Sequence, residues 1–156
     1  MVIAAVDPGT HKCGYCLIAP RGSRIEMLEM GTVETTAKTR AGRLRQVHDK
    51  LTELFERHRP TEVVVERAYV GKNPQSAIVL GEARGIAMIC ADRVGAEVFE
   101  YTAPEAKKAL TMNGLSGKAG VQRAVQLLLG LKAMPGPDAA DAVALALLHS
   151  SQVRIK

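Results

Sequence analysis

Residues 61–66 read Thr-Glu-Val-Val-Val-Glu, three consecutive β-branched residues closed by an acid. A strand with one wet face alternates apolar and polar side chains, so an unbroken valine run belongs to a strand covered on both faces. Such a strand needs helices above and below its sheet. The opening run, Met-Val-Ile-Ala-Ala-Val, is also short and apolar. It ends at Asp7 and a Pro8-Gly9 turn, which predicts a buried strand followed by a sharp reversal. "GYCLIA" and "IEMLEMGTVET" read as two further strands punctuated by "PRGS", an antiparallel meander. Over residues 40–58, Leu44, Val47, Leu51, Leu54 and Phe55 recur at helical spacing among charged residues until Pro60. A helix from about Pro74 to Val94, a strand "AEVFEY" and helices from about Pro104, Gly117 and Asp138 follow. The predicted order is βββαβαβααα, and the class is α/β with a mixed five-stranded sheet and helices on both faces.

At 156 residues the chain fits a single domain spanning 1–156, long enough to bury about two-thirds of its unfolded surface. The first residues lack a basic segment and a long apolar stretch, so no signal peptide or membrane span is expected and the protein is placed in the cytoplasm. A net charge of +5 and a pI of about 9.3 favour a polyanionic partner.

The three cysteines, Cys13, Cys16 and Cys90, form no even disulfide framework, which fits a reducing compartment. A redox Cys-x-x-Cys needs its first sulfur at a helix N-terminus, and this one lies in a predicted strand. Residues three apart on a strand point to opposite faces with α-carbons about 10 Å apart, beyond the roughly 7 Å limit of a disulfide. Zinc would need two more ligands, and only Cys90 and the scattered His11, His48, His58 and His149 remain. All three cysteines are therefore expected to pack as small buried hydrophobes.

Four acids sit in unusual places. Asp7 and Glu66 close apolar strands. Asp138 and Asp141 are three apart in "PGPDAADAVALALLHS", on one face of a helix otherwise built of Ala, Val and Leu. Asp138 also reads as an N-cap after Pro137, and Asp7 as a turn residue. Asp141 falls inside the first turn, where the helix dipole contributes only about 0.3 to 1 kcal/mol, too little to explain an acid beside another acid. Sites in α/β sheets form at the carboxyl ends of strands, and four carboxylates converging there make an oxygen cage for hard divalent ions. Two Mg²⁺ or Mn²⁺ ions about 3.5 to 4 Å apart would clamp a phosphodiester and serve both its attacking water and its leaving oxygen. The expected chemistry is phosphodiester hydrolysis.

"DPGT", "VVVERAYVGKNPQSAIVLGEARGIA", "VFEYTAPEAKKAL" and "PDAADAVALALLHS" resemble, in order and spacing, the blocks of the RuvC family of bacterial Holliday junction resolvases, within the RNase H-like superfamily. The resemblance covers nearly the whole chain. It implies a crossover junction endodeoxyribonuclease that resolves four-way DNA junctions by paired, metal-dependent cleavage during homologous recombination and DNA repair. The family's acidic tetrad falls on Asp7, Glu66, Asp138 and Asp141. Its base-stacking aromatic falls on Tyr69, where Phe is the more usual residue, with Lys72 and Asn73 close by in sequence. Its phosphate-contacting lysines fall on Lys107 and Lys118, and Lys108 is a neighbour able to stand in for the first. A homodimer and the RuvA and RuvB branch-migration proteins are the implied partners. The small-residue stripe Ala77, Gly81, Gly85 permits close approach either to the sheet or to the same helix of a second subunit. The sequence ends at Lys156, without the longer basic tail of some relatives.

Three other functions compete. Actin-like ATPases also open with a strand and an Asp-x-Gly-Thr turn, but their fold needs two such domains. A related nuclease acting on structured RNA, the ribosomal precursors, is disfavoured by the block around Glu66 and Tyr69. A junction-binding protein without catalysis is disfavoured by the presence of all four acids.

Overall fold

The structure, a computed structural model, describes residues 1–67, 74–110 and 117–153, with the side chains of residues 74 and 118 excepted. Strands β1 (Ile3–Asp7), β2 (Lys12–Arg21) and β3 (Arg24–Glu34) precede α1 (Arg40–His58), β4 (Glu62–Glu66), α2 (Pro74–Arg93) and β5 (Glu97–Tyr101). Three helices follow: α3 (Ala103–Leu110), α4 (Lys118–Leu128) and α5 (Pro137–Val153). The order is the predicted βββαβαβααα.

The sheet runs β3-β2-β1-β4-β5. The meander is antiparallel, whereas β1, β4 and β5 are parallel to one another. Parallel strands need crossovers, and α1 and α2 supply those around β4. Val63 and Val65 of β4 face the core shared with Val47, Leu51, Leu54 and Phe55 of α1 and Ala87 and Cys90 of α2. Val64 faces the opposite core, built from Ala106 of α3, Val121 and Val125 of α4 and the alanine-rich face of α5. The valine run is thus covered on both faces, as its composition requires.

The period of two also decides where the acids point. Ala4 and Val6 belong to the α1–α2 side and Ile3 and Ala5 to the α5 side, so Asp7 falls on the α5 side. By the same alternation Glu62 and Glu66 flank Val64 on that face.

The β2–β3 hairpin runs further than "PRGS" suggests, with Pro20 paired to Ile25 and Arg21 to Arg24, and Gly22 at φ 58° in the tight turn. Proline is tolerated because β1 pairs with β2 only as far as Ile18, so no ladder bond is lost on that side. α1 starts at Thr39, whose Oγ1 accepts from the Gly42 N–H at 3.0 Å, and ends at Arg59 in the left-handed region, one residue before Pro60.

Asp138 is not the N-cap of α5. Pro137 is the first helical residue, and Asp138 follows within the first turn. Proline is favoured there because its missing N–H would be unpaired anyway. The Gly136 carbonyl accepts the first helical bond, from Ala140 at 2.9 Å. Asp141 consequently stands one turn in.

Cys13 and Cys16 are buried free thiols on opposite faces of the sheet, and Cys90 is buried on the inner side of α2. Burial pushes the Cys13 thiol up to about 12, which keeps it protonated and inert. Among the described residues no helix is long and apolar enough to cross a membrane.

Candidate active site

β1 and β4 are parallel neighbours, with Val6 level with Val65, so Asp7 and Glu66 emerge side by side at the carboxyl edge of the sheet. α5 crosses over the same face and brings Asp138 and Asp141 to the pair. Burial holds the Asp7 carboxyl up at about 8, reinforced by the charges of Glu66, Asp141 and Asp138 and by a hydrogen bond with Glu66. Glu66 is raised as well, by burial and then by Asp141, while the Lys107 ammonium of α3 pulls it back down. The structure therefore gathers the four sequence-predicted acids and Lys107 into one electrostatic unit. Asp7 keeps a proton at neutral pH because low dielectric and neighbouring negative charge both disfavour its ionised form.

All four groups are oxygen donors, the donor type preferred by hard divalent cations. Among the described residues no three acidic, thiol or imidazole groups are grouped so as to hold a metal ion as they stand. The hydrogen bond between Asp7 and Glu66 favours the protonated form of Asp7 and the ionised form of Glu66.

Lys107 is half-buried beside Glu66, whereas Lys108 is exposed and lines a hollow with Glu105, Leu148 and Gln152 further along α5. Lys107 is the lysine at the acids. Lys118 opens α4, and its side chain, together with Tyr69 and Lys72, lies outside the described residues. The stripe Ala77, Gly81, Gly85 does not pack on the sheet. Ala83, Ala87, Cys90 and Ala91 take that role, and a Cβ at Gly81 or Gly85 would meet nothing within 4 Å among the described residues.

Sequence reasoning missed Gly14. It is the β2 partner of Asp7, and a Cβ on it would lie 2.0 Å from the Asp138 carbonyl oxygen. The missing side chain lets the first turn of α5 sit directly on the sheet next to Asp7. A glycine in the strand run "KCGYC" signals close backbone approach, though not to which partner.

The family profile described as crossover junction endodeoxyribonuclease RuvC matches residues 3–149. Two curated relatives carry that same description. The protein of Anaeromyxobacter dehalogenans is 43% identical over 150 residues, 96% of this chain and 80% of its own. That of Citrifermentans bemidjiense is 39% identical over 156 residues, 99% of this chain and 95% of its own. Among solved structures, T. thermophilus RuvC in complex with a Holliday junction substrate is similar with a TM-score of 0.89 and 32% identity, covering 99% of this chain and 96% of that one. With its sheet order, its four gathered acids and these likenesses along almost its full length, the chain belongs to the RuvC family of crossover junction endodeoxyribonucleases.

Proposed function

We propose that this protein resolves four-way DNA junctions by metal-dependent hydrolysis of phosphodiester bonds, in homologous recombination and DNA repair. The observation that carries this reading is the meeting of Asp7, Glu66, Asp138 and Asp141 at one sheet edge beside Lys107, in a chain of this family. Family membership favours a junction over structured RNA, and over the phosphate of an actin-like ATPase.

The four carboxylates would hold Mg²⁺ or Mn²⁺, two ions per site. Their donor set is all oxygen, and a dication would offset both the burial that chiefly holds Asp7 up at about 8 and the repulsion of Glu66, Asp141 and Asp138 that adds to it. When bound, the ions supply Lewis acidity to the phosphate and lower the pKa of the attacking water. The chain's own part is distinct. Asp7 releases its proton as the cluster becomes neutralised, and Glu66 and Asp141 cease to repel. Lys107 offers an ammonium to a phosphate oxygen at the rim. Tyr69, stacking on an unpaired base, and Lys72 and Lys118, pairing with phosphates, complete the DNA contacts.

Resolution needs two cuts, and one chain carries one set of acids. A symmetric homodimer supplies two. The outer face of α2 supports this assembly: Ile78 and Ile89 are 58% and 57% exposed beside the open Gly81 and Gly85. Two chains also double the charge from +5 to +10. RuvA and RuvB, as branch-migration partners, follow from the family. The whole chain, 1–156, would act as one nuclease domain in the cytoplasm.

The test is cleavage of a synthetic four-way junction with Mg²⁺, with Mn²⁺ and with chelator. Cleavage at symmetric positions with either ion, none with chelator, and binding but no cutting by Asp7→Asn, Glu66→Gln, Asp138→Asn and Asp141→Asn are expected. Junction cleavage by any one of these variants at the wild-type rate would remove that residue from the site, and cleavage in chelator would overturn the metal reading.

A further inference from the structure

His149 is buried at 1% exposure on α5, about two turns beyond the acids, yet it is polar on both ring edges. Its Nε2 lies 3.0 Å from Glu62 Oε2, and its Nδ1 lies 2.8 Å from the Tyr101 hydroxyl. Gln152 Oε1 stands 3.2 Å from that same hydroxyl. The imidazole also packs on Phe99, with ring centroids 4.3 Å apart. With a carboxylate at Nε2, that nitrogen donates to Glu62, and the Nδ1 edge is hydrogen-bonded to the Tyr101 hydroxyl. One side chain of α5 thus ties the helix to both β4 and β5.

The placement of this tie relates it to the acids. Glu62 and Glu66 lie on the same face of β4, about 13 Å apart at 3.3 Å per residue. His149 and Asp141 lie about 12 Å apart along α5 at 1.5 Å per residue. The helix runs back along the strand, so the two spacings match like the rungs of a ladder. His149 meets Glu62 at one rung, and Asp141 faces Glu66 at the other. The second rung is repulsive, because Asp141 raises Glu66. The rest of the buried surface of α5 is mostly small, with Ala139, Ala140, Ala142, Ala144 and Ala146 beside Val143, Leu145 and Leu148. Alanine gives close packing but little resistance to sliding, whereas a buried, directional hydrogen bond specifies one register.

We infer that His149, clasped by Glu62 and Tyr101, is a positioning residue that sets the height of Asp138 and Asp141 against Glu66 and Asp7. It touches neither substrate nor ion. This inference rests on the metal-site reading for its consequence in activity, though not for its consequence in structure.

Three variants test it. Tyr101→Phe and Glu62→Ala each remove one arm of the clasp, while Glu62→Gln leaves a carbonyl oxygen to accept the imidazole N–H. Mn²⁺ binding is measured calorimetrically without DNA, junction binding in chelator, and cleavage across Mn²⁺ concentrations. Glu62→Ala should weaken Mn²⁺ binding about ten-fold and slow cleavage about as much, with junction affinity within about two-fold of wild type. Tyr101→Phe should do the same to a smaller degree, and Glu62→Gln should restore wild-type behaviour. Leu54→Ala, a cavity in the core on the other side of the sheet, should lower thermal stability without moving Mn²⁺ affinity.

A structure of metal-free Glu62→Ala decides independently of any ion: α5 should be shifted along β4, separating Asp141 from its wild-type position over Glu66. An unmoved helix, or a Glu62→Ala protein that binds Mn²⁺ as tightly as wild type, overturns the inference. Wild type that binds no Mn²⁺ overturns the metal-site reading instead and leaves the position of α5 to decide this one.

Discussion

Gly14 and Asp138 touch backbone to backbone: a Cβ on the glycine would stand 2.0 Å from the aspartate's carbonyl oxygen and 2.5 Å from its carbonyl carbon. Neither atom can yield by a rotamer change, so the first turn of α5 must lift if Gly14 acquires a side chain. Gly14→Ala is expected to destabilise the fold by about 1 to 3 kcal/mol. It should also cut cleavage about a hundred-fold, because an ångström of misplacement suffices for that. Thermal melts and junction cleavage by the same preparation check both halves. Wild-type cleavage by the Gly14→Ala variant would refute the close approach as a requirement of the site.

Asp7 makes stability depend on pH in a definite direction. Its carboxyl titrates at 3.8 when unperturbed and at about 8 in the native protein. Between those values the native state holds more protons than the unfolded chain, so stability is fully present below the lower value and falls as pH rises toward the upper one. Asp7→Asn removes the penalty. In chelator the variant should melt above wild type at about pH 8 to 9, by on the order of a few kcal/mol, and the gap should close by about pH 4. Melting curves across that range are the check; a gap that does not depend on pH would contradict it.

Lys107 should behave as a phosphate contact. Each phosphate neutralised adds about 0.9 to the slope of log affinity against log salt for duplex DNA, so Lys107→Ala should lower that slope by about 1. Lys108→Ala, whose side chain is exposed away from the acids, should leave it nearly unchanged. Binding isotherms at several salt concentrations read this directly. Weaker binding with an unaltered slope would make Lys107 a packing residue.

The outer face of α2 can be blocked without harming the fold, since a Cβ added at Gly81 or Gly85 meets no described atom within 4 Å and the rest of each side chain extends from there. Gly81→Arg with Gly85→Arg should preserve or raise thermal stability, because glycine is a poor helix former by about 1 kcal/mol relative to alanine. The same protein should sediment as a monomer and should nick junctions without resolving them. Paired resolution by a monomeric variant would end the case for a dimer.

Much of the fold was legible because β-branched runs and helical periodicity report local structure directly. Val63 to Val65 announced a strand covered on both faces, and Asp7 and Glu66, standing where apolar strands stop, marked the edge where the acids gather. α2 was less readable. Ala, Gly and Ile occur around its whole circumference, so periodicity marks no inner face, and only the packing of Ala83, Ala87, Cys90 and Ala91 separates the buried side from the glycine stripe. Asp138 misled as an N-cap because acids and proline both favour helix starts, and proline held the first position. Gly14 and His149 were opaque for a different reason. Each matters through a partner distant in sequence, Asp138 for one and Glu62 with Tyr101 for the other, and no local pattern encodes such a pairing.

The order in which the acids occur along the chain bears on its safety while it is being made. Asp7 comes from the first strand and Glu66 from the fourth, but Asp138 and Asp141 come from the last described helix. A chain emerging from the ribosome can pair β1 with β4 long before α5 exists. Until that helix docks, the sheet edge holds two carboxylates of the four, so a nascent chain still lacking α5 carries no completed nuclease. On the proposed role of the four acids, cutting DNA becomes possible only once α5 has been made and has settled on the sheet.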